Sequence, residues 1–379
     1  MSPRTYLNCD SSCRAAIGVG GIGSGMYFAL EGDHSLGRNE SRLARLLDVR
    51  DYCKLHIVAH HVAVLLGADP SGVPFLVLPV GKVGNDDAGR RLLEEMRRAG
   101  MNTSFVEAVD GEPTLLSVCF QYPDGTGGNI TTSVSAASAL ATEEIDWAFE
   151  AFPAAGSGAV AIAMPEVPLR FRRHLLEAAT RRGALRAAVF TSAEIRSARD
   201  DGMLELVDLL AMNEDEAQVL TGAVLDPGAP EPFLDACRDV LARMGNGKRI
   251  IVTAGRDGAF ALDPDFTDYC PAAPVTVAST AGAGDALLGG VIAGLVGGMP
   301  FVEPGAARRQ ISELPLSSAF DLGCLVAGFS VTSPHTIHPE LSLENVLQFA
   351  GKLGIPLDPS FLRHVCRSPE GAGQGPVNE

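Results

Sequence analysis

The sequence predicts an α/β protein built on one mostly parallel sheet with helices on both faces. Two patterns and one composition carry this. Short apolar, β-branched runs lack the in-out alternation of a half-solvated strand, so they must be buried on both sides. Amphipathic stretches separate them, and a chain with 46% hydrophobic and 20% charged residues has ample material for a core. In chain order the strands are read at 15–19, 75–78, 159–164, 187–190, 206–212 and 249–253. The clearest helix is 89–100: Leu92, Leu93 and Met96 share one face, arginines and glutamates cover the other, and Gly100 ends it.

One stretch breaks the rhythm. Residues 114–122 alternate toward strand, Pro123-Asp124-Gly125-Thr126-Gly127-Gly128 is turn-rich, and 129–134 is strand again. This hairpin is the candidate for a flap over a site. The segments 226–232 and 303–315 read as surface loops, and the stretch from Pro369 as a disordered tail. A length of 379 residues suits one continuous-sheet unit with an appendage.

A net charge of −16 repels phosphate backbones and anionic lipid, which argues against nucleic acid and membrane partners. The run 286–298 is too short for a membrane span. Eight scattered cysteines, with no apolar leader at Met-Ser-Pro-Arg-Thr-Tyr, predict reduced thiols in a cytoplasm. Cys9 and Cys13 lack a second pair with zinc-like spacing.

The strongest chemical signal is Ser279-Thr280-Ala281-Gly282-Ala283-Gly284-Asp285, followed by a helix of small residues. Glycines let the backbone approach a ligand, and a helix start turns N–H groups and dipole toward an anion. A carboxylate there also serves as an ordinary N-terminal stabiliser, so other segments must decide. One predicted strand ends in Asn213-Glu214-Asp215-Glu216, which suits either helix capping or a water-held Mg²⁺ beside phosphate. Another runs into Thr253-Ala-Gly255-Arg-Asp-Gly258, and Gly81-Lys-Val-Gly84-Asn-Asp86-Asp-Ala-Gly89 joins a strand to the 89–100 helix. No Walker lysine motif occurs.

In this order, and over roughly residues 15–340, these segments resemble the ribokinase-like (PfkB) family of carbohydrate kinases. That family carries Gly-x-Val-Gly-x-Asp-x-x-Gly (here 81–89), Asn-x-x-Glu (Asn213, Glu216), Thr-x-Gly-x-x-Gly (Thr253, Gly255, Gly258) and Gly-Ala-Gly-Asp (282–285). The resemblance implies a three-layer sandwich with a small β lid. It implies one domain over 1–368, with lid segments near 20–48 and 103–135. It further implies ATP and Mg²⁺, a small sugar-like acceptor, and room for a homodimer through the lid. Carried over by position, Asp285 takes the proton of the acceptor hydroxyl, and the amides of Ala283, Gly284 and Asp285, opened by Gly282, form the anion hole. Asn213 and Glu216 organise phosphates and Mg²⁺, with Glu216 holding the ion indirectly, and Thr253, Gly255 and Gly258 border the nucleotide.

The departures fall at the acceptor end. Ser279 replaces an acidic residue that helps hold a monovalent cation. Gly25 stands where the family has an aspartate that grips sugar hydroxyls. The family's Gly-Gly-x-x-x-Asn is replaced by Asp48-Val-Arg50-Asp51-Tyr52-Cys-Lys54-Leu-His56. Arg50, Asp51, Lys54 and His56, with Asn129 of the hairpin, are therefore the candidate acceptor contacts, and the cations among them could read a carboxylate or phosphate. A solvated helix start is the plainer account of the same residues. His56, His60 and His61 lack a third-ligand geometry for zinc.

A rival enzyme class rests on Gly18-Val-Gly20-Gly-Ile-Gly23, which matches a dinucleotide fingerprint and would make the chain an NAD-dependent oxidoreductase. The fingerprint needs a helix next, and 24–37 carries too much glycine for one. A non-catalytic binding relative of the fold is the remaining alternative, and Asp285 argues against it.

Overall fold

The computed structural model describes residues 5–9, 13–124, 127–152, 158–303, 310–313 and 315–367. The tail expected from Pro369, the loop stretch 304–309 with 314, and residues 125–126 of the hairpin turn lie outside them. The strands are β1 (Thr5–Leu7), β2 (Ala15–Val19), β3 (Gly23–Leu30), β4 (Ala44–Tyr52), β5 (Leu76–Gly84), β6 (Val106–Val109), β7 (Leu115–Gln121), β8 (Gly127–Thr131), β9 (Ala159–Ala163), β10 (Leu185–Val189), β11 (Leu209–Asn213), β12 (Arg249–Thr253), β13 (Ala259–Leu262), β14 (Thr267–Cys270) and β15 (Val365–Arg367). The helices are α1 (Lys54–Leu65), α2 (Asp87–Arg98), α3 (Thr142–Ala151), α4 (Leu169–Arg182), α5 (Ile195–Asp200), α6 (Glu214–Thr221), α7 (Glu231–Met244), α8 (Ala283–Val296), α9 (Ala319–Ser330), α10 (Leu343–Lys352) and α11 (Pro359–Leu362).

The main sheet runs β14-β13-β12-β11-β10-β9-β2-β5-β6. It is parallel from β12 to β6, with an antiparallel edge at β13 and β14. Successive side chains point to opposite faces, so each uniformly apolar strand feeds two cores. Ile251 and Ile162 pack with α1, α8, α9 and α10, while Ile250, Val252 and Ala161 pack with α3, α4 and α7. That makes three layers, a ribokinase-like sandwich. Among the described residues no helix is long and apolar enough to cross a membrane.

A separate four-stranded sheet, ordered β4-β3-β7-β8, forms the lid. The glycine-rich stretch after β2 becomes strand β3, so the helix a dinucleotide fingerprint requires is missing at that place. The expected lid segment 103–135 divides. β6 joins the edge of the main sheet beside the second half of β5, and the lid hairpin proper is β7 and β8. For the same reason β5 runs on past Pro79, where the sequence pattern had ended it: residues 81–84 pair with 106–109.

Helix α8 is crowded, and its small residues are the reason it fits. A methyl group at Gly290 would stand 2.8 Å from the Gly323 backbone of α9, and one at Gly289 would stand 2.6 Å from His61 Cβ of α1. Both clash, so α1, α8 and α9 approach as closely as they do only because those side chains are absent.

Asp86 ties the main sheet to the lid. As the α2 N-cap its carboxylate accepts from Gly89 N at 2.8 Å, and it also accepts from the hydroxyl and amide of Thr114, at 2.7 and 2.9 Å, just before β7. Asp86→Ala removes the cap and leaves a Thr114 donor without its partner, which should cost about 2 kcal/mol in denaturant unfolding. A cost within a few tenths of zero would show that the lid's root is held by other contacts.

Candidate active site

Helices α1 and α8 begin side by side, so their N-terminal turns converge on one point. Lys54 opens α1, Asp285 lies in the first turn of α8, and Lys54 Nζ stands 3.5 Å from Asp285 Oδ2. Asp285 is 7% exposed. Burial pushes its carboxyl above the ordinary range, and the ammonium of Lys54 opposes this. Asp285 in turn holds the Lys54 amine well above its ordinary value.

The cleft in front of this pair has a volume of about 450 Å³, and its wall brings together Lys54, Asn213, Glu216, Thr253, Gly255, Gly258, Gly282, Ala283, Gly284 and Asp285. Gly282 is the N-cap of α8 at φ 76°, and a Cβ there would stand 2.9 Å from the Thr336 carbonyl oxygen, so both conformation and space require glycine. Gly258, at φ 89°, would meet the Cys270 carbonyl at 2.2 Å. At the helix start, Ala283 N donates to Thr280 O at 3.2 Å. The amides of Gly284 and Asp285 find no acceptor among the described residues, whereas that of Ala283 is already engaged.

Asn213 and Glu216 form a complete capping box: Asn213 Oδ1 accepts from Glu216 N at 2.7 Å, and Glu216 Oε2 accepts from Asn213 N at 2.9 Å. Capping and a place in the cleft wall coexist, because one carboxylate oxygen suffices for the cap. Burial raises the Glu216 carboxyl, against the pull of its backbone hydrogen bond and of Lys54. No group of three His, Cys, Asp or Glu side chains among the described residues could cage a metal. The donor set fits a Mg²⁺ that arrives with phosphates and is steadied through water by Glu216. Ser279, at the cation position, accepts from Ala281 N at 3.2 Å.

On the acceptor side, Gly25 of β3 pairs with Asp51 of β4. A Cβ built on Gly25 would stand only 1.8 Å from Asp51 Oδ2. Asp51 therefore occupies the space into which a side chain at position 25 would project. It is 8% exposed and accepts from Cys119 Sγ at 3.3 Å, and burial raises its carboxyl. Asn129 lies opposite Cys119 on the lid strand β8, exposed.

Arg50 and His56, candidate acceptor contacts in the sequence, do not join this group. β4 alternates and α1 turns, so both line a second cavity behind the first. The helix start is not a solvated face either: Leu55, His56, Ile57 and Val58 are all buried.

A residue the motifs missed is Glu166, just after β9. It sits at φ 75°, rare for a side-chain-bearing residue, and its Oε2 accepts from Lys54 N at 3.0 Å. Burial drives its carboxyl up to about 7, with Asp285 adding to the rise and Lys54 opposing it. The available signal was a carboxylate between Pro165 and Pro168 at the end of a predicted strand.

Comparison with known proteins gives matches along most of the chain. The family model described as pfkB family carbohydrate kinase matches residues 64–343. A deoxyribokinase of Salmonella typhi is 25% identical over 273 residues, 72% of this chain and 81% of that protein. A ribokinase from Giardia lamblia superposes with a TM-score of 0.71 at 17% identity, covering 90% of this chain and 99% of that one. A ribokinase from Cryptococcus neoformans var. grubii serotype A, in complex with ADP, gives a TM-score of 0.64 at 21% identity, covering 89% and 99%. The family match includes Asn213, Glu216, Thr253 and Asp285 but begins after Asp51 and Lys54.

Because its folded-state carboxyl lies above the ordinary 4.5, Glu166 stabilises the fold fully below that pH and progressively less as pH rises toward about 7. Glu166→Gln should therefore gain on the parent in thermal unfolding between those values and hold a constant lead above them. A difference independent of pH would mean that Glu166 ionises normally.

Proposed function

The chain belongs to the pfkB family of carbohydrate kinases, and on that premise we propose that it transfers the γ-phosphoryl group of ATP to a hydroxyl of a neutral sugar or polyol, with Asp285 as general base. The observation that carries this is the ion pair of half-buried Lys54 with buried Asp285, at a helix start whose Gly284 and Asp285 amides are open. Phosphoryl transfer needs little covalent help from protein and much positioning of charge. The two amides face the oxygens that gain charge as the γ-phosphoryl group moves. Asp285 accepts the hydroxyl proton, and Lys54 favours the ionised form that a base needs. When bound, Mg²⁺ supplies charge neutralisation on the phosphates, with Glu216 and Asn213 beside it. Thr253, Gly255 and Gly258 border the nucleotide, and Pro271, Ala273, Ala327 and Val331 offer its base an apolar slot.

Charge decides the acceptor class. The carboxyls of Asp51 and Glu166 are each raised by the charge of Asp285, and Lys54, the cation among them, is engaged by Asp285 and Glu166. An acceptor bearing phosphate or carboxylate would meet net negative charge, whereas hydroxyls would donate to these oxygens. Asp51 takes the part of the family's missing aspartate from the neighbouring lid strand, with Asn129 further out on the lid. We read residues 1–368 as one kinase unit. A homodimer through the lid, where Leu46 and Ile130 are exposed, belongs to the same proposal.

Asp285→Asn keeps shape and capping ability but cannot take the proton. Turnover should fall by about a hundred- to ten-thousand-fold, while melting temperature and ATP affinity hold. Near-normal turnover in a folded Asp285→Asn sample would remove the base from this scheme. Asp51→Asn should raise the acceptor KM by roughly tenfold or more and leave the ATP KM unchanged. Equal shifts in both constants would place Asp51 in a structural role instead.

A further inference from the structure

On the other side of α1 lies a second, open cavity of about 620 Å³, lined by β1, β4, α1, α2 and the segment 337–344. Helix α1 separates the two. Lys54 faces Asp285, while His56, His60 and Val64, spaced one turn apart, face the other way into the cavity wall. β4 does the same in strand form, with Asp51 toward Gly25 and Arg50 and Tyr52 toward the cavity. This second space plays no part in phosphoryl transfer as derived above.

Its wall is chemically unfinished. His56 is 0% exposed, yet neither of its ring nitrogens has a hydrogen-bond partner among the described residues. His60 Nδ1 is likewise buried and unpartnered, as is Oε2 of Glu95, a carboxylate that takes a hydrogen bond from the Tyr52 hydroxyl. Burial holds His56 near 3 and drives His60 well below its ordinary value, so both are neutral rings with one donor and one acceptor each. Tyr52, His56 and His60 form a ladder of rings with centroids 4.6 and 5.9 Å apart. Such groups, left without partners in a wall, carry a cost that a ligand rich in hydroxyls would remove. Arg50 adds a guanidinium that makes no ion pair among the described residues, and Arg98, paired with Glu94 on the exposed face of α2, adds a second at the rim. The volume lies within the range of sites for small organic molecules.

We propose that this cavity is an effector site for a hydroxyl-rich small molecule bearing one phosphate or carboxylate group. Neutral imidazoles, the Tyr52 hydroxyl and Glu95 exchange hydrogen bonds with the hydroxyls, and Arg50 and Arg98 take the anionic group. The site has a short route to the chemistry. Arg50 N donates to His335 Nδ1 at 3.0 Å, Thr336 N donates to Arg50 O at 3.2 Å, and Tyr52 N donates to Thr336 Oγ1 at 3.2 Å. The Thr336 carbonyl is the atom that packs over Gly282 at the anion hole. A ligand that draws on Arg50 and Tyr52 thus bears on the lid strand holding Asp51 and on the turn that opens α8.

The test is a titration of the full chain with ribose 5-phosphate, gluconate, ribose and inorganic phosphate, read by the ring signals of ¹⁵N-histidine-labelled protein. Saturable shifts of the His56 and His60 rings with ribose 5-phosphate or gluconate, clearly stronger than with ribose or phosphate, are expected. Which of the two binds identifies the anionic group. Arg98→Ala, a change at an exposed rim residue, should weaken binding by about tenfold without altering basal turnover. His56→Gln should weaken it further and blunt any effect of the compound on the acceptor KM. The proposal does not depend on the catalytic reading: Asp285→Asn protein should bind the compound as the parent does, whatever its turnover. Rings unmoved up to about 10 mM compound, an equal response to inorganic phosphate alone, or binding undiminished in Arg98→Ala and His56→Gln would each overturn it.

Discussion

The Lys54–Asp285 pair is the constraint on which the site depends. Two helix starts meet there, and each brings unpaired amides and partial positive charge to the same place. Into that field the fold inserts a buried carboxylate with two more, Asp51 and Glu166, close enough to be felt. Without the ammonium, like-charge repulsion and desolvation would both favour protonated acids, and a protonated Asp285 cannot serve as a base. Without the carboxylates, the ammonium would lose what keeps it charged in a half-buried position. Each of the two groups thus favours the charged form of the other.

Holding that pair in register falls to α8. Its glycines serve packing more than flexibility: the missing side chains at Gly289 and Gly290 let α1 and α9 close in, and the approach of α1 sets how far Lys54 reaches. The chemistry at the helix start and the small residues two turns later are therefore parts of one device.

The cleft wall was legible in the sequence because it is written in local patterns. A strand, a glycine turn and a helix start are consecutive in the chain, so Asn213, Glu216, Gly258 and Gly282 could be assigned to one site before any fold was in hand. The acceptor end is assembled from distant pieces. Asp51 reaches the space over Gly25 only through strand pairing, and Glu166 joins Lys54 from over a hundred positions away. Adjacent residues also part company, as Arg50 and His56 turn behind the site that Asp51 and Lys54 face. A list of neighbouring polar residues cannot show which side of a strand or helix each one takes, and the division of 103–135 between sheet edge and lid was hidden for the same reason.

Positions 25 and 51, paired across β3 and β4, constrain each other. An aspartate at position 25 would place its Cβ 1.8 Å from the Asp51 carboxylate, so the two side chains cannot coexist on these backbones. Removing Asp51 first leaves neither of these two paired positions with a carboxylate. The two positions can therefore be altered only as a pair: a side chain at position 25 demands a smaller residue at 51, and the carboxylate at 51 demands glycine at 25.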